Sequence, residues 1–356
     1  MHRLAALAYH LLQASHTPVP DDTMERLRER YHVAATFHLL YAATLGELLR
    51  DFRAVGLVPI VLKGLPLAER VYPDPLARAM LDIDLLVRRD GLPAAQRVLE
   101  ARGFVPWLDP ADPPAAFQEK IHGELTYSHD DTPWLNVDLH TELIMVETFR
   151  PALRFPVEDV WRRARATAVA AEAGLVLDDE DTLLYLCLHW AVGHQFGKLA
   201  SSVDLALWIA RLRNLDWDAV VERACAARMR RAVFASLRLA EALWGPLPVP
   251  WNAVERLRPT RWPFLLNHVS PDASLSVVGR RQDRARHLVY LRLADHLPAS
   301  GRVLLCLLWP GRRWLVLRYG LKRTWQVVLW SLWHPFRLAG ALAGALQAGR
   351  RQRTED

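Results

Sequence analysis

Sulfur is scarce in this chain. Its 356 residues include three cysteines, Cys187, Cys225 and Cys306, far apart and without a CxxC pair. That spacing excludes a disulfide framework and a thiolate metal site, and it fits reduced core residues of a cytosolic protein. Three glycine-bearing enzyme signatures are also missing: there is no G-x-S-x-G elbow, no Walker A loop and no G-x-G-x-x-G. Hydrolase, P-loop and dinucleotide-binding readings therefore have no support. No internal repeat or low-complexity linker interrupts the chain. The first apolar run, Leu4 to Leu12, is broken by His10 and followed by no small-residue cleavage site, so an amphipathic helix is expected there.

What is present is a globular composition. Apolar residues make up 51%, enough for a large core in two domains, or in one domain with an appendage. The net charge of +6 is unevenly placed: residues 301–356 hold ten Lys/Arg against two Asp/Glu, and the first 300 residues hold 35 against 37. Basicity confined to the tail argues against a nucleic-acid channel through the body, and no nucleic-acid partner is expected.

Helical spacing predicts helices over 1–17 and 22–54, the second opening at Asp21-Asp22. From Val58 the pattern shortens. "VPIVLK" and "DIDLLV" read as strands, with a short helix from Gly64 to Tyr72 between them. "LPAAQRVLEARGF" reads as a helix, and "ELTYSH" and "WLNVDLHTEL" as two further strands. Beyond Val157 helices are expected at 157–168, 179–193, 199–213, 216–229, 230–244 and 278–296.

The pair Asp82 and Asp84 raises the chemical question. Alternate residues of a strand share a face, so the two carboxylates point one way and Ile83, Leu85 and Val87 the other. Adjacent like charges repel and are costly to desolvate. A divalent cation such as Mg²⁺ or Mn²⁺ resolves that conflict. "NVDLHTEL" offers a third carboxylate, Asp138, with His140 and Glu142 on its face, and three acids on neighbouring strands can hold two metal ions for in-line phosphoryl chemistry. The competing reading is an exposed edge strand with solvated acids. Gly64, directly after "PIVLK" and opening a helix, would let backbone amides approach a phosphate, with Lys63 as counter-charge; a plain strand-to-helix turn is its alternative.

Four stretches, "VLKGLPLAERVYPDPLARAMLDIDLLV", "LEARGF", "VDLHTEL" and "LHWAVGHQFGKLASSVDLA", resemble the uncharacterised bacterial nucleotidyltransferase-like proteins of the DNA polymerase β superfamily, whose members often lie near genes for peptide modification, lasso peptides included. The resemblance spans about residues 35–245. It implies an α+β fold: a polymerase-β-like core with a small mixed sheet, plus a mainly helical C-terminal domain. The division expected is 1–54 helical segment, 55–150 α/β core, 151–300 helical domain and 301–356 basic tail. It implies Asp82, Asp84 and Asp138 as catalytic metal ligands, with an NTP, ATP foremost, as substrate and a hydroxyl of a peptide, protein or small molecule as acceptor. The family's usual Gly-Ser is Gly64-Leu65 here, so phosphate binding would rest on backbone amides and on Lys63, Arg78 or Lys198. It also brings His194, Lys198 and Asp204 towards the cleft as neighbours of the metal or acceptor; core packing is the alternative for Asp204 and His189. His140, on the strand face of Asp138, reads as a neighbour of the metal or a contact to the acceptor, with a plain structural hydrogen bond as its alternative.

His189 and His194 do not form a zinc pair on an α-helix, since five residues turn them about 140° apart. In the tail, the longest stretches free of charge, Thr324–Phe336 and Leu338–Gly349, are short of a membrane span. Arginines beside Trp- and Leu-rich helices fit either a segment in the membrane interface or a helical layer packed on the body. A cytoplasmic location, at the inner membrane face if the tail binds lipid, is expected. Two further readings stay open: a catalytically silent scaffold with this fold, and a peripheral membrane protein.

Overall fold

The computed structural model describes residues 3–107, 117, 121–144, 149–259 and 293–352. The expected helix at 278–296 lies almost wholly outside them. Helices α1 (Ala5–Ser15) and α2 (Asp21–Ala54) lead into strand β1 (Ile60–Val61), helix α3 (Leu65–Val71), strand β2 (Ile83–Leu86) and helix α4 (Leu92–Ala101). Strands β3 (Phe104–Pro106), β4 (Glu124–His129) and β5 (Asn136–His140) follow, then α5 (Val157–Arg163) and the hairpin β6 (Arg165–Val169) and β7 (Glu172–Val176). The chain continues through α6 (Asp179–Leu188), a π-helical turn (His189–Gly193), α7 (Leu199–Arg211), α8 (Trp217–Ala226), α9 (Arg230–Trp244) and α10 (Trp251–Val254). The tail forms α11 (Leu297–Leu308), α12 (Arg312–Tyr319) and α13 (Thr324–Gln352).

The seven strands form one mixed sheet in the order β3-β4-β5-β2-β1-β7-β6. The β2–β5 and β1–β7 pairs are parallel and the others antiparallel. Each face of the sheet has its own core. Ile83, Leu85, Val87, Leu125, Tyr127, Val137 and Leu139 pack against Tyr41, Leu45, Leu48 and Phe52 of α2 and Leu99 of α4. Ile60, Leu62 and Leu86 face the other way, into a larger cluster with α6, α7 and α9. Period-two alternation therefore points Asp84, Asp138 and His140 towards the helical half.

Two expectations fail in this half of the chain. The helix expected over 157–168 stops at Arg163, and two strands beyond residue 150 close the sheet's far edge. Their turn is Ala170-Ala171, both at positive φ (52° and 61°), where glycine or asparagine is the usual signal. The turn presses on α2 at Gly46, where a Cβ would lie 3.0 Å from the Ala170 carbonyl oxygen. The cysteines are free, but only Cys187 is buried; Cys225 is exposed, so a core role for all three does not hold.

Candidate active site

The parallel pairing of β2 and β5 sets Asp84 opposite Asp138, and β4 brings Glu124 opposite His140. Residues far apart in sequence thus meet on one sheet face. Asp84, Asp138 and His140 are all buried and each offers a ligand atom within 4.8 Å of the others. His140 Nε2 lies 3.2 Å from Asp84 Oδ1. Asp82, one residue before the strand, is half-exposed at the mouth.

Lys63 lies between the two aspartates of the DxD. Its Nζ is 2.6 Å from Asp84 Oδ2 and 3.2 Å from Asp82 Oδ1. The repulsion that the sequence assigned to a metal is therefore relieved, in this structure, by an ammonium. Although its burial opposes the charge, the two carboxylates hold Lys63 well above the usual lysine range. Burial opposes ionisation of Asp84, yet Lys63 and His140 together hold its carboxyl well below the usual range. Asp138 goes the other way: burial, with the charges of Glu124, Asp84 and Asp82, pushes it up to about 8. His140, surrounded by those acids, is raised to about 9 against the effect of its burial.

The donor set suits a divalent ion. Two carboxylates and one imidazole converge, and Asp138 Oδ1 and His140 Nδ1 are buried without a hydrogen-bond partner among the described residues. Buried polar atoms are rarely left so. Carboxylate oxygen fits Mg²⁺ or Mn²⁺, with imidazole tilting the preference towards Mn²⁺.

Gly64 sits at the N-terminus of α3 with φ +82° and ψ −117°, a conformation nearly restricted to glycine. Leu65, in the place of the expected serine, is buried in the α2-facing core. That position serves packing. Arg78, expected at the nucleotide, is engaged elsewhere: its Nε donates to Asp204 Oδ1 (3.0 Å) and its Nη2 to Oδ2 (2.9 Å), while Tyr72 Oη donates to Oδ1 (2.6 Å). The Arg78–Asp204 fork ties the loop before β2 to α7, so both residues position the two halves. Glu142 has left the strand and pairs with Arg89 at 2.9 Å.

The helical half supplies the opposite wall. His189 and His194 meet with ring centroids 4.3 Å apart, contrary to the α-helical spacing argument. The reason is the π turn, in which the His194 N–H donates to the His189 carbonyl at 3.0 Å, widening the helix so that i and i+5 coincide. Burial first, and then the Lys198 and Lys63 cations, lower His194 to about 3, so both imidazoles are neutral. No third ligand joins them among the described residues. Tyr185 on α6 adds a buried hydroxyl without a hydrogen-bond partner among the described residues, within electrostatic reach of Asp84 and Lys63. Lys198 reaches solvent, yet partial burial and the cations of Lys63 and Arg3 lower its ammonium. An open cavity of about 330 Å³, lined by Leu81, Asp82, Trp107, Thr126, Asn136 and Asp138 among others, leads to the acids.

Glu124, Tyr185 and Arg3 were missed in the sequence, and His189 was weighed there only as a zinc ligand or a core residue. The alternation of "ELTYSH" does put Glu124 and Thr126 on one face, but only the β4–β5 register shows that this face is the acidic one.

A sheet face bearing converging acids beside a glycine-led helix fits a site for transfer of a phosphorus-bound group. The family model described as an uncharacterised nucleotidyltransferase matches residues 1–245, and the chain belongs to that family. No curated protein and no solved structure matches it. Membership implies an NTP substrate and a divalent metal, and the buried Asp84–Asp138–His140 group fits the latter.

Proposed function

We propose that the protein transfers a nucleoside monophosphate from an NTP, ATP foremost, to a hydroxyl of a peptide, protein or small molecule. The observation that carries this reading is the buried convergence of Asp84, Asp138 and His140 within 4.8 Å in a chain of this family. Asp82, Asp84 and Asp138 would hold the metal, with His140 as a ligand or the partner that orients Asp84. Mg²⁺ or Mn²⁺ bound there would neutralise triphosphate charge and favour ionisation of the acceptor hydroxyl.

The chain's own groups then have defined tasks. The acceptor oxygen bonds to the α-phosphorus, the bond from that phosphorus to the bridging oxygen breaks, and pyrophosphate leaves. Asp138, whose carboxyl is raised to about 8 in the metal-free protein, is protonated there at neutral pH; ionised beside a bound cation, it would hold the metal or take the hydroxyl proton. The amides at Gly64 cradle the triphosphate, and Lys198 and Arg3 supply cationic surface at the mouth. Lys63 holds the acids together until nucleotide and metal draw its ammonium towards the phosphates. Positioning and charge neutralisation supply most of the acceleration. In domain terms we place the core at about 55–150, with its sheet completed by β6 and β7, between the helical segment 1–54 and the helical domain and tail. A cytoplasmic location belongs to this reading.

The test is incubation of the full chain with each NTP and Mg²⁺ or Mn²⁺, scanning for pyrophosphate and for labelled product or self-labelled protein. Metal-dependent release that Asp84→Asn abolishes is expected. Absence of release and of NTP binding with every nucleotide would overturn the reading. It would favour the silent scaffold, which the Lys63 ammonium between Asp82 and Asp84 and the core position of Leu65 make the second reading.

A further inference from the structure

We propose that α13 lies on the surface of an anionic phospholipid bilayer, with its solvent-facing apolar stripe in the lipid interface. The proposal is independent of the transfer reaction. Trp325, Val328, Leu329, Leu332, Trp333 and Phe336 are each between 54% and 70% exposed. Their spacing (i, i+3, i+4, i+7, i+8, i+11) places them within one arc of the helix. Val327 and His334, on the opposite side, are buried. That side is fixed: Tyr319 of α12 stacks on Trp330 at 4.0 Å, and the Trp314 ring meets His334 at 5.4 Å. Trp314 also packs on Phe117 at 5.4 Å, which links the tail to the segment before β4. The stripe therefore faces away from the side by which α13 packs on the described part of the chain. Of the two readings of the tail, the packed layer describes one side of α13 and leaves the other unexplained.

Charge decides the partner. Ten basic residues lie between 301 and 356, and the two acids there are the last two residues. Arg312, Arg313, Lys322, Arg323 and Arg337 are exposed. Lys322 and Arg323 stand at the start of the stripe and Arg337 at the far end of its described part. Tryptophan, leucine and phenylalanine flanked by arginine and lysine is the composition of an interfacial helix, because indole rings favour the headgroup boundary and the cations meet anionic lipid. A protein partner would need a large apolar face ringed by acids; a bilayer with anionic lipid supplies both features. No helix of the described residues is long and apolar enough to cross a membrane, so the contact lies along the surface.

The experiment is co-sedimentation of the full chain with vesicles of mixed phosphatidylglycerol and phosphatidylcholine, compared with phosphatidylcholine alone. Binding to the anionic vesicles should exceed binding to the neutral ones by about tenfold or more, and should weaken with salt. The triple variant Trp325→Gln, Leu329→Gln, Trp333→Gln should lose binding while its circular-dichroism melting stays at the wild-type value, because all three side chains are exposed. Lys322→Glu with Arg323→Glu should lower binding to the anionic vesicles by about tenfold. Wild-type protein remaining in the supernatant would overturn the proposal, as would a triple variant that binds like wild type. A concentration-dependent dimer in sedimentation velocity, abolished by the triple variant, would also overturn it by assigning the stripe to a second copy of the chain.

Discussion

Replacing Lys63 with methionine tests whether the DxD acids are a cation site or a fixed ion pair. Lys63→Met keeps the length and the apolar stem and removes only the ammonium. The structure sets the scale of the effect. Asp84 is almost fully buried, and its Oδ2 is 2.6 Å from the ammonium. Removing one partner of a buried pair costs ~3–5 kcal/mol, since the other charge is left uncompensated. Two features reduce that figure. His140 stays 3.2 Å from Asp84 Oδ1, and Asp82 is 35% exposed, so water screens its share. A loss of about 2–3 kcal/mol is therefore expected in metal-free protein. For a folding unit of this size each kcal/mol moves Tm by about 2–4 °C, so the variant should melt roughly 5–10 °C lower.

The informative half of the experiment is the rescue. A divalent ion entering the vacated position replaces the lost positive charge. At a concentration a hundredfold above Kd such a ligand contributes about 2.7 kcal/mol, close to the loss. Differential scanning fluorimetry in EDTA, MgCl₂ and MnCl₂ reads both effects. Lys63→Met should gain more from metal than the wild type, in which the ion must displace an ammonium. If the variant melts within a degree of wild type in EDTA, Lys63 is not the counter-ion. If it melts low and no divalent ion restores it, the acids do not hold metal, and the scaffold reading follows.

Three further outcomes come from the same geometry. Asp138 is neutral in the folded state up to about 8 but ionises near ~4 when unfolded, so stability falls as pH rises across that interval. His140 adds to the fall, because the stability from its raised value, about 9, is complete below ~6.5 and lost as pH rises through the folded value; metal-free protein should melt lower at pH 9 than at pH 6, and Asp138→Asn should flatten the slope in a thermal scan. Gly64→Ala should weaken NTP binding in calorimetry more than metal binding and cost ~1–3 kcal/mol of stability, since alanine seldom adopts φ +82°; unchanged NTP affinity would remove the amide cradle. Arg78→Lys should lower stability by about 1–3 kcal/mol, because a single ammonium cannot reproduce the two-armed bond to Asp204, while NTP affinity stays within about twofold; a large loss of affinity at unchanged stability would return Arg78 to the nucleotide.

The face-bearing strands were legible because period two is a local property. "DIDLL" and "NVDLH" each alternate acid or histidine with aliphatic residues, and the structure turns each set as the pattern requires. The long helices were legible for the same reason: α9 runs over Arg230–Trp244 as the periodicity has it. What local pattern could not supply was partnership. Nothing near Arg78 signals Asp204, 126 residues away, and nothing near Lys63 signals that its ammonium would turn back onto the strand that follows. The β6–β7 hairpin was illegible for another reason. "RARATAVAAEAGLV" is rich in alanine, the strongest helix former, and its turn lacks the glycine or asparagine that would have marked it. Tertiary contact with α2 overrides local preference there. The π turn defeated the histidine argument similarly, since the angle between residues five apart depends on a winding that the sequence does not declare.

The departure at Leu65 and the position of Lys63 have one physical explanation in common. A serine at 65 would have offered a hydroxyl to phosphate; a leucine there offers a core contact, and the α2 face of the sheet gains an apolar anchor directly behind the turn. On the proposed function, phosphate recognition at this turn would be left to backbone amides, whose orientation depends on the positive φ of Gly64, and to a cation that can reach both acids and phosphates. Lys63 would be that cation: compact, strongly hydrated when free, and on a flexible stem, unlike the rigid fork of Arg78. In the metal-free state its ammonium is bound to Asp82 and Asp84, so the acids remain tolerable in a buried sheet. Nucleotide and metal arriving together would exchange that single charge for two on the metal, and free the ammonium for a triphosphate that brings negative charge of its own. Neither could do this alone, because metal alone must displace the lysine and nucleotide alone meets the acids. Metal and NTP affinities should therefore be mutually reinforcing. In Lys63→Met most of that coupling should disappear, metal binding tighter and NTP binding weaker than in the wild type. Titrating each ligand with and without the other measures it, and equal coupling in the two proteins would disprove the exchange.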